Sequence, residues 1–362
     1  MHIAILTNDH LWTYNLRKEL VEEMLKKGHR VTLVLPYGEK IDFFKELGCD
    51  FVDFSFEGRG TNIFKEIILY KNYIKVLKQL KPDIVLTYTT KPNIYGASAC
   101  AALKIPYIIT ITGTGRAMLS GISKKLMSFL YKVSSRKARC IVFQNSENME
   151  LFKDSKIYKG KCVLVPGSGV NTSYHNAEEY PPDGTIKFLF IGRLNAIKGI
   201  EDYITVAKKV KGADKNAEFH VVGMPENEYF ENLANEAHSN GDIIYHGMLT
   251  DVRNIIKECH CTLHPSCCEG MANVLLESAS AARPLITTDA CGCRETVSDN
   301  ETGFIFKVKD TDDCYEKVMK FLELSYEAKK EMGLKGREKM LNEFDRYIVA
   351  EKYMEIIENS ER

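Results

Sequence analysis

Two glutamates eight positions apart, Glu269 and Glu277, stand in the stretch PSCCEGMANVLLESASAARPLITT. Glu269 and Gly270 follow a short apolar run ending at His264 and read as a loop. The spacing of Val274, Leu275, Ala279 and Ala282 then predicts a helix opening just after Gly270. One carboxylate can therefore face a cleft from the loop and the other from two turns into the helix. Between them, free N–H groups of the first turn, at Gly270, Met271 and Ala272, form a cradle for an anion. Carboxylates accept hydrogen bonds from hydroxyls, so this pair around a phosphate cradle suits a nucleotide sugar.

A second loop supplies cations. Gly192-Arg193-Leu194-Asn195-Ala196-Ile197-Lys198-Gly199 follows the apolar run 186–191. Arg193 and Lys198 bring two positive charges to a β-α loop, where α/β folds bind ligands, and Gly192 lets the backbone come close. Together the segments resemble the Gly-Arg-Leu…Lys-Gly and Glu-x7-Glu motifs of the family-4 retaining glycosyltransferases. By that resemblance Arg193 and Lys198 neutralise a nucleotide diphosphate, Glu277 holds the ribose hydroxyls and Glu269 the sugar hydroxyls. Glu269, Arg193 and Lys198 are the catalytic set, and Gly192, Gly270, Met271, Ala272, Asn273 and Val274 complete the donor site.

The family's chemistry needs no side-chain base. The sugar–diphosphate bond loosens, the acceptor hydroxyl attacks the same face, and the departing phosphate oxygen takes the proton. Preorganised cations and amides stabilise the growing anion. The resemblance therefore implies no metal and no cofactor beyond a nucleotide-sugar donor, expected to be UDP-linked. Residues 289–297, with Gly292 and Glu295, are similar to the family's Gly-x-x-Glu turn, which shapes the donor pocket. Cysteines and histidines crowd the region from Cys259 to Cys293 without a Cys-x2-Cys pair or regular ligand spacing. Buried cysteines, and not a zinc site, are the expectation.

These loops need a scaffold. Apolar runs at 2–7, 30–36, 83–87, 107–111 and 140–143 alternate with amphipathic segments at 15–27, 62–80 and 123–137. The pattern restarts at 186–191 and continues through 218–222, 243–246, 261–264 and 284–287. Such alternation predicts an α/β protein with parallel sheets covered by helices on both faces. The polar, Pro- and Gly-containing stretch 171–184 reads as a linker. The expected architecture is two doubly wound Rossmann-like domains facing a cleft, the GT-B form of the resembling family. Residues 1–170 form an acceptor and membrane-facing domain, 171–344 the donor domain, and 345–362 a helix that crosses back to the first domain.

The chain of 362 residues has no net charge, yet the sum hides an asymmetry. Residues 1–165 carry 26 Lys+Arg against 15 Asp+Glu, and the remainder 23 against 34, so the halves stand at +11 and −11. Opposite signs point to different partners. The basic half suits an anionic membrane surface or an anionic acceptor; no nucleic-acid partner is expected. No apolar run reaches the roughly 18 residues of a spanning helix. The N-terminus turns polar too early for a secretory signal, and 11 scattered cysteines fit a reduced cytosolic setting. A cytoplasmic protein peripheral to the inner face of the cell membrane is the expectation.

Residues 87–96 and 111–118 resemble a subgroup that extends bacterial lipid-linked and capsular glycans. Many family members carry a histidine near Gly113; here a Gly113-x-Gly115 loop followed by Arg116 offers amides and a cation to an anion. The first β-α loop, with Trp12, Tyr14 and Asn15, also looks like that subgroup; its aromatic rings suit either a ligand or the domain's own helices. Lys124, Lys125, Lys132 and Lys137 stand among apolar residues, a pattern for an anionic bilayer or for an ordinary core-facing helix. The leading expectation is a retaining transferase that moves an N-acetylhexosamine from its UDP form to a polyprenyl-diphosphate-linked saccharide. A nucleotide-sugar 2-epimerase of the same architecture and a silent nucleotide-sugar-binding subunit are the alternatives. A nicotinamide dehydrogenase is disfavoured, because no Gly-x-Gly-x-x-Gly follows the first strand.

Overall fold

The computed structural model describes residues 1–56, 62–113, 121–213 and 216–359, with the backbone alone for 121–123. The chain divides into two compact units, Met1–Ser168 with Arg346–Arg362, and Gly169–Asp345.

The first unit is built on strands β1 (His2–Leu6), β2 (Arg30–Leu35), β3 (Asp50–Asp53), β4 (Ile84–Tyr88), β5 (Tyr107–Ile111), β6 (Cys140–Phe143) and β7 (Cys162–Leu164). Their order is β3-β2-β1-β4-β5-β6-β7, and every pairing is parallel. β4 and β5 are buried along their whole length. Covering by helices on both faces is why these strands read as unbroken apolar runs. The terminal helix Arg346–Glu358 packs on the helix His10–Lys26. It buries Val349, Tyr353, Met354 and Ile357 in the same core as β1 and β2. Buried Arg346 pairs with buried Glu19 at 2.9 Å, and the Tyr353 and Thr110 hydroxyls lie 2.9 Å apart.

The second unit contains β8 (Ile186–Ile191), β9 (Ala217–Val222), β10 (Ile244–Tyr245), β11 (Cys261–His264), β12 (Leu285–Thr288) and β13 (Gly303–Phe306). The all-parallel order is β10-β9-β8-β11-β12-β13. The chain runs outward from β8 to β10, then returns to the other side of β8. That reversal leaves a crevice at the carboxyl ends of β8 and β11, the place where open α/β sheets bind ligands.

The expected linker has no regular structure, but it is held firmly to the second unit. Arg283, 1% exposed, donates to the carbonyls of Glu178 and Glu179 and to those of Ile256 and Lys257. His260 Nε2 lies 3.1 Å from the Pro182 carbonyl. A composition of turn residues marked the lack of helix and strand there; a buried guanidinium satisfies the carbonyls that regular structure would have paired.

Candidate active site

One cation and one carboxylate of the predicted set, Lys198 and Glu269, meet at the β8/β11 crevice. After β8, Asn195 Oδ1 accepts the Lys198 amide at 2.9 Å and closes the loop. Gly199 has φ +75°, and a Cβ there would lie 2.1 Å from the Pro265 carbonyl oxygen. A glycine is required for the loop after β8 to approach the loop after β11 so closely. The two loops are then joined by Cys267 N–H to Ile197 O at 2.8 Å and Ser266 Oγ to Ile197 O at 3.2 Å. The result sets the Lys198 ammonium directly on Glu269 Oε1. His264, the last residue of β11, places Nε2 3.1 Å from the same oxygen.

Burial pushes the Glu269 carboxyl up, but the His264 hydrogen bond and the Lys198 charge outweigh it and hold the group at about 2. Burial lowers His264 more than its carboxylate neighbour raises it, which favours the neutral ring. A neutral ring that donates through Nε2 to Glu269 keeps Nδ1 as an acceptor, and that buried atom has no partner among the described residues. Cys293 Sγ lies with His264 and Glu269 in a cluster of possible metal ligands whose atoms are within 4.8 Å of one another. Here the Lys198 ammonium already occupies the cation's position at the carboxylate. Burial also pushes the Cys293 thiol up, towards its protonated form. The residues therefore fit a lysine-neutralised carboxylate better than a metal centre.

The Gly-x-x-Glu turn packs against the loop that carries Glu269. Gly292 has φ +81°, and a Cβ there would come within 2.9 Å of Glu269 Cβ and of the Glu269 and Gly270 carbonyl oxygens. Glu295 Oε2 accepts the Gly292 amide at 2.7 Å. The Gly292 carbonyl in turn accepts the Ala272 amide at 2.8 Å. This departs from the sequence expectation: the Ala272 N–H is engaged in the turn and does not face an anion. The helix begins later than expected, as Asn273–Ser280, so the first-turn amides without intrahelical acceptors belong to Asn273 and Val274. Glu277 is half-buried in that helix, Arg193 is exposed in the loop after β8, and Gly192 and Gly270 are half-buried. Met271 is buried and packs with Leu275 in the unit's core, so only its backbone is offered to a ligand.

Two protein-family models match this chain: glycosyl transferases group 1 over residues 175–339, and glycosyl transferase 4-like over residues 2–145. The chain belongs to the glycosyltransferases. The enzyme is 25% identical to the N,N'-diacetylbacillosaminyl-diphospho-undecaprenol alpha-1,3-N-acetylgalactosaminyltransferase of Campylobacter jejuni, over 98% of each chain. It is 25% identical to the UDP-Gal:alpha-D-GlcNAc-diphosphoundecaprenol alpha-1,3-galactosyltransferase of Escherichia coli, over 70% of each. HepE of Anabaena, solved with UDP and glucose, superimposes with a TM-score of 0.78 at 13% identity, covering 98% of this chain and 99% of its own. The fold is the GT-B fold, and glycosyltransferases of this type take nucleotide-sugar donors.

The remaining sequence candidates of the transferase lie in the first unit. Asn15 is exposed, and its carbonyl accepts from Arg346. Tyr14 packs edge-on against Phe43 at 4.9 Å, so it serves the unit's own core, whereas Trp12 is exposed. Gly113 follows β5 and is half-buried; Gly115 and Arg116 lie outside the described residues. Lys124, Lys125 and Lys132 are carried by the helix Gly121–Ser135, and Lys137 stands just beyond it. Among the described residues no helix is long and apolar enough to cross a membrane. Sequence reasoning assigned no role to His264 or Asn195. The signal for His264 was its place at the end of a buried strand, five residues before Glu269.

Proposed function

We propose that the enzyme is a retaining transferase that moves an N-acetylhexosamine from a UDP-sugar to a polyprenyl-diphosphate-linked saccharide at an anionic membrane surface. The observation that carries this reading is the Lys198–Glu269 pair at the β8/β11 crevice, with Arg193 in the same loop as Lys198. Its support in sequence is the kinship over 98% of both chains with an enzyme named for a diphospho-undecaprenol acceptor and N-acetylgalactosamine.

In this reading the diphosphate lies against the Asn273 and Val274 amides, facing Arg193 and Lys198. As the glycosidic bond loosens, charge grows on the leaving diphosphate, and those fixed donors stabilise it. Glu269, ionised, accepts hydrogen bonds from the sugar; with its carboxyl at about 2 it is a poor base near neutral pH. The acceptor proton then passes to the departing phosphate oxygen. Glu277 holds the ribose. No metal enters. On the first unit, Lys124, Lys125, Lys132 and Lys137 meet the inner face of the membrane.

The test is transfer by the purified chain from labelled UDP-N-acetylhexosamines to polyprenyl-diphosphate-linked saccharides, with the new linkage read by proton NMR. Retained anomeric configuration is expected. Inversion, 2-epimerisation of the donor without transfer, or no turnover with any such pair would overturn the reading.

A further inference from the structure

In the first unit, the helices Ile63–Leu80 and Gly121–Ser135 and the turn Pro92–Gly96 line a groove of about 610 Å³. Its walls are apolar: Ile63, Ile67, Leu126, Phe129, Leu130 and Val133. Phe129 is 60% exposed and Leu126 54%, and Ile63 is 67% exposed across the groove. The helix Gly121–Ser135 thus buries Tyr131, Ser134 and Ser135 and turns Leu126, Phe129 and Val133 outward, at the spacing of one helical face. The sequence left open whether this helix faced core or bilayer. One side faces the core, and the outward stripe belongs to a concave site. Contiguous exposed apolar surface of this kind marks a ligand or interaction site.

The groove's lining also includes polar groups. Lys91 Nζ lies 2.7 Å from Glu66 Oε1, both largely buried, and Glu66 Oε2 has no partner among the described residues. Lys91 stands two residues after Thr89, whose φ of +68° is strained for a β-branched side chain. Thr89 follows β4, which pairs with β1 where the strand order of the first sheet reverses. The groove therefore starts at the ligand-binding end of the sheet. At its outer flank, Lys124, Lys125 and Lys132 line an adjoining hollow with Phe129. A flat bilayer contact needs only a patch; a trough that includes polar groups and is flanked by lysines fits one anionic amphiphile.

We infer that this groove holds the isoprenoid tail of the acceptor, with the flanking lysines beside its diphosphate. The inference rests on the acceptor class proposed above and adds where the lipid lies. Hydrocarbon packed between the two helices removes Phe129, Leu126 and Ile67 from water, and the cations pair with phosphate at the rim.

The probe is tritiated geranylgeranyl phosphate, held below its aggregation concentration in detergent-free buffer, with the full chain. Saturable one-site binding is expected. The double variant Ile67→Ser, Phe129→Ser alters only surface side chains; it should bind at least tenfold more weakly, a loss of about 1.4 kcal/mol. In detergent solution the same variant should raise KM for a long-chain acceptor with little change in kcat. Absence of saturable binding by the wild type, or equal affinity in the variant, overturns the inference. So does an effect confined to vesicle binding, which would make the groove a bilayer contact only. Saturable binding without transfer to any polyprenyl-linked saccharide would uphold the isoprenoid site and sink the proposed reaction instead.

Discussion

At the scale of single residues, the candidate site is a balance of charges around one carboxylate. Arg193 is exposed, while Lys198 is tied to Glu269, so the two cations are not equivalent. In the proposed reaction Arg193 faces charge that grows as the bond breaks. Arg193→Ala should therefore lower kcat by about 100-fold and shift donor KM much less, measured by steady-state kinetics. Glu269 carries its own signature. Its carboxyl sits at about 2 in the fold against 4.5 without it, so its ionised form stabilises the second unit above pH 4.5. That contribution is lost as pH falls from there through about 2. Urea unfolding should lose stability less steeply over this acid range for Glu269→Gln than for the wild type. Because Lys198 fills the cation's position, excess EDTA should leave turnover unchanged; loss restored by manganese or magnesium would contradict the arrangement. The sequence showed these residue types and their spacing. It did not show that His264 bonds Glu269, because the course of the loop between them, which brings the two together, is fixed by the fold.

At the scale of elements, the site depends on close backbone approach at two turns. Gly199→Ala combines an unfavourable φ with a 2.1 Å approach to the Pro265 carbonyl. It should lower stability by about 1–3 kcal/mol and reduce kcat, checked by thermal unfolding and kinetics on the same preparation. The basic helix is tested by charge reversal. Replacing Lys124, Lys125, Lys132 and Lys137 with glutamate should weaken binding to anionic vesicles, and wild-type binding should itself weaken as salt rises, since screening acts within about 8 Å at physiological ionic strength. Equal vesicle binding by both proteins would remove this helix from the membrane face. Most strands were legible in the sequence, yet β3, β7 and β13 were not anticipated. All three are edge strands of three or four residues. β3 (DFVD) and β7 (CVL) contain no fully buried residue, so neither carries the unbroken apolar run that marks a central strand. The start of the helix Asn273–Ser280 was also misplaced, because the Gly292 carbonyl competes for the Ala272 amide from twenty residues away.

At the scale of the whole molecule, the last helix is part of the first unit's core although the chain reaches it only after completing the second. Tyr353 is fully buried there. Tyr353→Ala should cost about 3–5 kcal/mol, as aromatic truncations in cores do, and should lower the stability of the first unit while the second retains its own. Limited proteolysis that separates the two units would read this directly; equal protection of the first unit in both proteins would deny the helix that role. What the sequence by itself determined is whatever follows from periodicity and local chemistry: two α/β units, their central strands, opposite charge on the two halves, and the carboxylates and cations of a candidate donor site. Strand burial and β-α loop composition leave those marks within a few neighbouring residues. Tertiary structure alone decided which charges pair, which amides remain available, and that an outward apolar stripe on one helix faces another across a groove. Those outcomes depend on contacts such as Lys198 to Glu269, 71 residues apart, and no local pattern encodes a distance across the fold.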